Sequence, residues 1–460
     1  MRYPLFSFAG LCLALLIDPA IFAQTYTITD LGTLPGGTYS VARGINARGE
    51  VTGVSDTSTG AVHAFIFSNG NMQDLGTLPG GRQSGGSGVN ASGQVTGWSE
   101  IAPNKIHAFR FSNGEMADLG TLPGDVTSSG AAINDSGQIT GDSTNAAGRY
   151  HAFFYSDGTM SDLGTLPGFS SSVGLGINRF GHVAGAAVSG EFTRAVVFSG
   201  GSVWDLGSLP NSAQARARAI NDLGQVTGVA ESYNDVTYHA FVFDAGIMQD
   251  LGMPRDGLYS TGQAINKSGQ VTGEFGFGTG GAVVPHAFVA RVGDPMMQDL
   301  NDLIPPNSGW TLETGYGIND AGQIVGSGTR NGAVRGFLLT PVAPDTAPPR
   351  ITVSATPTIL WPPNDKPVTV TVWGRITDDV SGVDAESARY AVGDEYGRIQ
   401  PKGPVSLDSN GNYAFQVVLR AFRTGDDLDG RQYVVLVTAK DNAGNADSKW
   451  QTVIVPHDRR

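Results

Sequence analysis

Apolar and polar positions alternate along most of this chain in short runs bounded by turn residues. Residues 40–78 show the pattern clearly: SVARGIN (40–46), EVTGVSD (50–56), AVHAFIFS (61–68) and NMQDLGTL (71–78). Runs of this length, rich in β-branched and aromatic residues, predict four β-strands. Asn46-Ala47-Arg48-Gly49 separates the first two. There the Asn side chain bonds back to the turn and Gly supplies a positive φ. Asn69-Gly70 separates the last two and predicts a type I′ hairpin. A two-residue turn there sets Phe67 opposite Met72 and Phe65 opposite Asp74. His63 then lies one diagonal step from Asp74 on the same face.

The four-strand pattern is one unit of a repeat. DLGTLPG begins at Asp30 and returns at Asp74, Asp118 and Asp162, with weaker forms at Asp205, Asp250 and Asp299, in steps of 44, 44, 44, 43, 45 and 49 residues. The phrase IN-x-x-G-x-V-x-G keeps the same beat through Asn46, Asn90, Asn134, Asn178, Asn221, Asn266 and Asn319. HAF recurs at His63, His107, His151, His239 and His286, with Arg194 and Arg335 in units four and seven. Four strands in about 44 residues is the load of one propeller blade. The spacing of 11 residues from His to Asp survives when Arg194 replaces His and faces Asp205. A donor facing a carboxylate tolerates that exchange, whereas a metal ligand does not.

The ends of the repeat predict how it closes. The chain opens with a lone fourth strand, TYTITDLGTL (25–34), and the last unit stops at a third strand, RGFLLT (335–340). Pairing the two completes the last sheet and leaves no open edge. The expectation is an all-β chain: a seven-bladed β-propeller closed by the N-terminal strand, followed by an Ig-like β-sandwich. Asp30 is expected to meet Arg335, and an open β-solenoid is the alternative.

Composition agrees with this reading. There are 65 glycines in 460 residues and only 15% charged residues, which suits short strands and tight turns. Residues 1–23 read as a secretory signal, with Arg2 ahead of an apolar run from Phe6 to Ile17 too short to span a bilayer. Cys12 is the single cysteine, so the mature chain forms neither a disulfide nor a thiolate metal site. A net charge of −13 leaves no basic stripe for nucleic acid or anionic lipid. The expected location is extracellular or periplasmic, with no membrane span.

DLGTLPGG, INARGEVTG and HAFIFSNGNMQDLG resemble the HAF-repeat family of bacterial extracellular proteins over about residues 25–340. The resemblance implies secretion and a propeller-like fold and assigns no chemistry. RAV replaces HAF in unit four, and unit six is lengthened before His286. The domains are thus read as a signal at 1–23, repeats at 24–340, a Pro-rich linker at 341–350 and a tail at 351–460. The tail runs ITVSATPT, PVTVTVWGRI, YAFQVVLRAF, QYVVLVTAKD and WQTVIVP alternate as strands of an immunoglobulin-like sandwich. LWPPNDKPVTVTV (360–372), residues 419–445 and VPHD (455–458) resemble a bacterial Ig-like module, which implies spacing, display or adhesion.

Little in the sequence points to catalysis. Five histidines belong to HAF, and His182 and His457 have no partner at ligand spacing. Carboxylates outside the repeat phrases are Asp125, Glu191, Glu231, Asp235, Asp256, Glu274 and Glu313. A pair among Glu231, Glu274 and Glu313 across the mouth would suit a polysaccharide-acting enzyme. In the tail, Asp426, Asp427 and Asp429 are weak Ca²⁺ candidates, and Asp378, Asp379 and Asp441 fall near turns. Solvated acidic turns are the simpler reading, and no cofactor is expected.

Comparing the units with one another locates the binding candidate. The N-x-x-G and N-G turns barely change, while the connections at the other end vary. Such freedom suits recognition. The candidates there are Trp98, Tyr150, Arg216, Arg218, Tyr233, Tyr238, Phe275, Phe277, Trp310 and Tyr316, offering aromatic faces to a sugar or peptide. The function expected is non-catalytic binding of a glycan or an extracellular protein. A purely structural surface or adhesion protein is a further alternative.

Overall fold

The structure, a computed structural model, describes residues 25–210, 212–232, 237–254, 257–279, 282–294, 297–343, 345–398 and 400–458. The expected signal and Tyr233, Asp235 and Asp256 lie outside the described residues. The chain divides into two compact units, Ala23–Val342 and one containing Ala343–Arg460.

Among the described residues, the first unit consists of seven four-stranded antiparallel sheets. Sheet one comprises Ser40–Ile45, Val51–Asp56, Val62–Ser68 and Asn71–Asp74, hydrogen-bonded in chain order. The fourth strand is shorter than its apolar run, because Asp74 Oδ1 accepts the amide of Gly76 at 2.7 Å and turns the chain. Asn69 and Gly70 have φ of 51° and 77°, as a type I′ turn requires. Phe67 pairs with Met72 and Phe65 with Asp74, and His63 Nδ1 lies 2.9 Å from Asp74. The same His–Asp contact recurs for His107, His151, His239 and His286 at 2.6–2.9 Å. Arg194 stands 3.9 Å from Asp205 in sheet four. The Asp of DLG thus serves the turn and the neighbouring strand together. Each of these histidines is engaged through Nδ1 by the Asp of its own sheet.

The Phe of HAF anchors each core. Phe65, Phe109, Phe153, Phe241, Phe288 and Phe337 are fully buried, as is Val196 at the same place in sheet four. Each contributes roughly 1.5–3 kcal/mol of burial. The clusters lie between consecutive sheets; one joins Ala108 of sheet two to Ile139 and Phe153 of sheet three.

Sheet seven is completed from the other end of the chain. Its order is Tyr26–Asp30, Ala333–Pro341, Ile324–Arg330, Trp310–Ile318, with Tyr26 opposite Pro341 and Asp30 opposite Phe337. The expected partner of Asp30 is corrected. Arg330 Nη1, not Arg335, reaches Asp30 Oδ2 at 2.7 Å. Arg335 turns instead to the carbonyl of Thr38, where the chain enters sheet one.

The first strands of the sheets, Ser40–Ile45, Ser84–Val89, Asp125–Ile133, Ser171–Ile177, Ser212–Ile220, Gly257–Ile265 and Trp310–Ile318, touch their neighbours in order, and the last touches the first. Asn46 accepts the amides of Arg48 and Glu50 with Oδ1, as its turn role predicts. Its Nδ2 meanwhile donates to the carbonyl of Asn90, 2.8 Å away in the next sheet. The relay continues through Asn134, Asn178, Asn221, Asn266 and Asn319, and Asn319 donates to Asn46 at 3.0 Å. All seven are buried. Only Asn offers both the acceptor and the donor this geometry needs.

The second unit packs two antiparallel sheets on a shared core. One holds Arg350–Thr356, Pro367–Thr377 and Asn412–Arg420; the other holds Lys402–Pro404, Val383–Asp394, Arg431–Asp441 and Ala446–Val455. Val383–Asp394 is an additional strand. Its charged ESAR stretch hides it, and the register shifts between Asp384 and Arg389. The linker region is narrower than read, since Pro341 ends one strand and Arg350 begins the next. Among the described residues no helix is long and apolar enough to cross a membrane.

Candidate functional site

One irregularity recurs in every sheet of the first unit. The register between first and second strands skips one residue, for example between Ala42 and Gly44 and between Ala217 and Ala219. The skipped residues are Arg43, Ser87, Ala131, Leu175, Arg218, Gln263 and Tyr316. A bulge re-aims its extra side chain. Here it sits on the strand that forms the inner edge of the ring of contacts. The last Gly of IN-x-x-G-x-V-x-G lets the second strand approach the first-strand backbone beside the bulge. A Cβ at Gly141 would lie 1.8 Å from the carbonyl oxygen of Ser129, and the equivalent clash recurs at 1.9–2.0 Å for Gly53, Gly97, Gly185, Gly228, Gly273 and Gly326.

Two of the re-aimed side chains meet across sheets. Arg218 Nη1 of sheet five donates to Gln263 Oε1 of sheet six at 2.8 Å, while Arg218 Nε has no hydrogen-bond partner. Burial lowers the Arg218 pKa, Arg216 beside it lowers it further, and Glu274 and Tyr316 oppose the shift. Four groups from sheets five, six and seven therefore share one electrostatic environment. Glu274 Oε2 accepts from Thr314 Oγ1 at 2.7 Å, and burial together with Glu274 raises the Tyr259 pKa. Asp142, at the place in sheet three that Glu274 occupies in sheet six, is raised by burial. This cluster offers fixed guanidinium, amide, carboxylate and phenol groups, the equipment for holding a polar ligand in one orientation.

The sequence-derived candidates separate into two groups. Arg216, Arg218 and Tyr316 belong to the cluster. Trp98 occupies the Asp142 position of sheet two and lies over Gly85, where a Cβ would stand 2.7 Å from its Nε1. The others sit elsewhere. Phe275 is buried and packs with Phe277 and His286. Trp310 packs edge-on against Phe337 with Arg330 over its ring. Tyr150 and Tyr238 open the third strands of sheets three and five, away from the first strands. Every one of these described residues lies within a strand, because the hairpins extend further than the loop reading allowed. Gln263 and Tyr259 belong to the cluster as well, and they lie at strand positions rather than in the variable connections.

Of the carboxylates read as a possible pair, two are engaged by threonines. Glu274 is held by Thr314 and Glu313 Oε1 by Thr329 Oγ1 at 2.6 Å. Glu231 lies on the second strand of sheet five opposite Gln214.

The Asn turns that follow the first strands surround a cavity of about 190 Å³. Ile177, Ile220, Ile265 and Ile318 line it together with Asp135, Arg179, Asp222, Lys267 and Asp320. Three of these Asp side chains bind the amide of the preceding turn, as Asp135 does for Ala91 at 2.8 Å. This end is therefore built mainly to lock the turns together.

In the second unit, Asp345, Asp378 and Asp441 place ligand-type oxygens within 4.8 Å of one another. The chemistry is that of a hard cation such as Ca²⁺. The acidic turn Asp426, Asp427 and Asp429 is not part of this group. Asp427 instead accepts from the Tyr396 hydroxyl and the amide of Gly430.

No protein-family model matches the chain. Comparison with curated proteins likewise finds no match. Solved structures do show likeness. A gluconolactonase from Xanthomonas campestris is 13% identical, with a TM-score of 0.35, over 68% of this chain and 89% of the other. YCF48 bound to a D1 peptide is 13% identical, with a TM-score of 0.44, over 71% and 98%. TolB from Acinetobacter baumannii is 10% identical, with a TM-score of 0.34, over 57% and 65%.

Proposed function

We propose that this chain is a secreted HAF-repeat protein that binds a glycan without catalysis, at the axis of a seven-bladed β-propeller. In this reading the seven sheets are the blades and strand Tyr26–Asp30 closes the ring. Residues 351–460 form an Ig-like module that spaces or displays it, and residues 1–23 direct export. The cycle of first-strand contacts and the Asn relay support the closed ring. The contact between Arg218 and Gln263 carries the functional reading. The bulge is common to all seven sheets, yet its residue changes from Arg to Ser, Ala, Leu, Gln and Tyr. A position that only built the fold would be free to repeat, as the buried Phe of HAF does. Sugar hydroxyls suit the mixture of guanidinium, amide, carboxylate and phenol gathered here.

The test is a glycan array probed with the full chain, followed by calorimetry on the best ligand. Arg218→Ala is expected to weaken binding about tenfold or more, since a charged hydrogen bond contributes about 1.5–3 kcal/mol. Trp204→Ala, on the exposed outermost strand of sheet four, is the control and should bind normally. Failure of the intact chain to bind any glycan, or equal binding by Arg218→Ala, contradicts the reading.

A further inference from the structure

The second unit contains a cavity of about 270 Å³ lined by Asp365, Arg398, Arg420, Phe422 and Arg431. Three of its five lining residues are arginines, in a chain whose net charge is −13. The arrangement has a rigid base and an accessible rim. Arg431 forms the base and is 1% exposed. Its guanidinium lies between the rings of Tyr396 and Tyr433, at 4.8 and 4.5 Å, and its Nη2 stands 3.0 Å from Asp394 Oδ2. Nη1 donates to the Phe422 carbonyl at 3.3 Å, while Nε, fully buried, has no hydrogen-bond partner. Burying a guanidinium is costly unless its charge and donors are used.

The rim adds two more guanidinium groups. Arg420 pairs with Asp365 at 3.0 Å, both half-exposed. Arg398 lies 5.6 Å above the Phe422 ring and 6.0 Å from that of Tyr396. Asp365 and Asp394 balance Arg420 and Arg431. The charge of Arg398 has no ion-pair partner among the described residues. Counting its lining residues and Asp394, the site is one positive charge in excess and presents planar, forked donors beside a partly exposed aromatic face.

We propose that this cavity binds an oxyanion-bearing ligand of monosaccharide size, with its carboxylate or sulfate facing the arginines and its ring facing Phe422. Guanidinium groups hold such anions through paired hydrogen bonds that an ammonium cannot reproduce. The cavity volume exceeds a lone sulfate and suits a single acidic pyranose. The inference is independent of the axis site in the first unit, because no residue is shared.

The test is calorimetric titration of the full chain at constant ionic strength with sodium glucuronate, sodium sulfate and glucose. Saturable 1:1 binding of glucuronate is expected, with none for glucose. The double variant Arg398→Gln/Arg420→Gln changes only exposed side chains and is expected to weaken it about tenfold or more. Its thermal midpoint should stay within about 2 °C of the parent, which separates lost binding from lost folding. Trp204→Ala, outside both sites, should bind glucuronate unchanged whether or not the axis reading holds. Saturable sulfate binding that the double variant loses supports the oxyanion site and assigns it to the free ion. No saturable binding of either anion, or undiminished binding by the double variant, overturns the proposal.

Discussion

Deletion of residues 25–34 is expected to destroy the cooperative folding of the first unit. The deleted segment contributes the outermost strand of sheet seven, paired from Tyr26 with Pro341 to Asp30 with Phe337. It also buries Tyr26, Leu31 and Leu34 almost completely. Each side chain contributes roughly 1.5–3 kcal/mol by burial alone. Together they approach the whole stability of an ordinary domain, about 5–15 kcal/mol. Polar bonds go as well. The Ser40 hydroxyl donates to the Gly32 carbonyl at 2.6 Å, and the Leu34 amide donates to Ser55 Oγ at 2.9 Å. The segment thus ties sheet seven to sheet one rather than merely widening a sheet. Thermal unfolding followed by circular dichroism should show no sharp transition for the first unit, with aggregation through the exposed edge of Ala333–Pro341. An unchanged transition would mean that the strand is decoration.

The second large effect is expected from a single methyl group. Gly141→Ala places a Cβ 1.8 Å from the Ser129 carbonyl and 2.9 Å from the Phe153 ring. The carbonyl cannot retreat without undoing the bulge between Gly130 and Ala132. Overpacking a core ordinarily costs about 1–3 kcal/mol. With backbone on one side and a buried ring on the other, about 3 kcal/mol or more is expected, a fall of roughly 4–5 °C or more in thermal midpoint. Gly158→Ala provides the contrast. It has φ of 83° and nothing within 4 Å of the added Cβ, so only the left-handed backbone penalty of about 1–2 kcal/mol applies. Equal losses from the two substitutions would show that the close approach is not what Gly141 serves.

Much of the fold was legible because the repeat supplies its own internal comparison. Asn69-Gly70 and the spacing of His63 to Asp74 fixed a hairpin register that the structure reproduces. The unpaired strand at each end of the repeat predicted the pairing of residues 26–30 with 337–341. Local rules failed where the answer lies in the neighbouring sheet. Asn46 reads as a turn residue, and its second role, donating to Asn90, needs three dimensions. Arg335 carries the HAF position, but the chain passing into sheet one at Thr38 offers it a nearer acceptor, so Asp30 falls to Arg330. The bulge cluster is half visible in the sequence. Arg216, Arg218 and Tyr316 stand out because their positions vary between units. Gln263 does not, although each bulge residue is flanked on both sides by Gly or Ala, as in Ala42-Arg43-Gly44 and Gly262-Gln263-Ala264. That flanking pattern is the signal to read, since small neighbours let the inner strands pack closely while one side chain turns away. Phe275 misled because a buried aromatic and a ligand-stacking aromatic look alike in one dimension.

Closure of the ring by the N-terminal strand is the claim on which the axis site depends, and a cysteine pair tests it directly. Thr27 faces Thr340 across the two strands, and both are accessible. In a Cys12→Ser background, Thr27→Cys/Thr340→Cys oxidised under dilute conditions should form an intramolecular disulfide. Mass spectrometry of a tryptic digest would show residues near 27 linked to residues near 340 in more than half of the molecules. Free thiols after oxidation, or links only between different molecules, would contradict the closed ring.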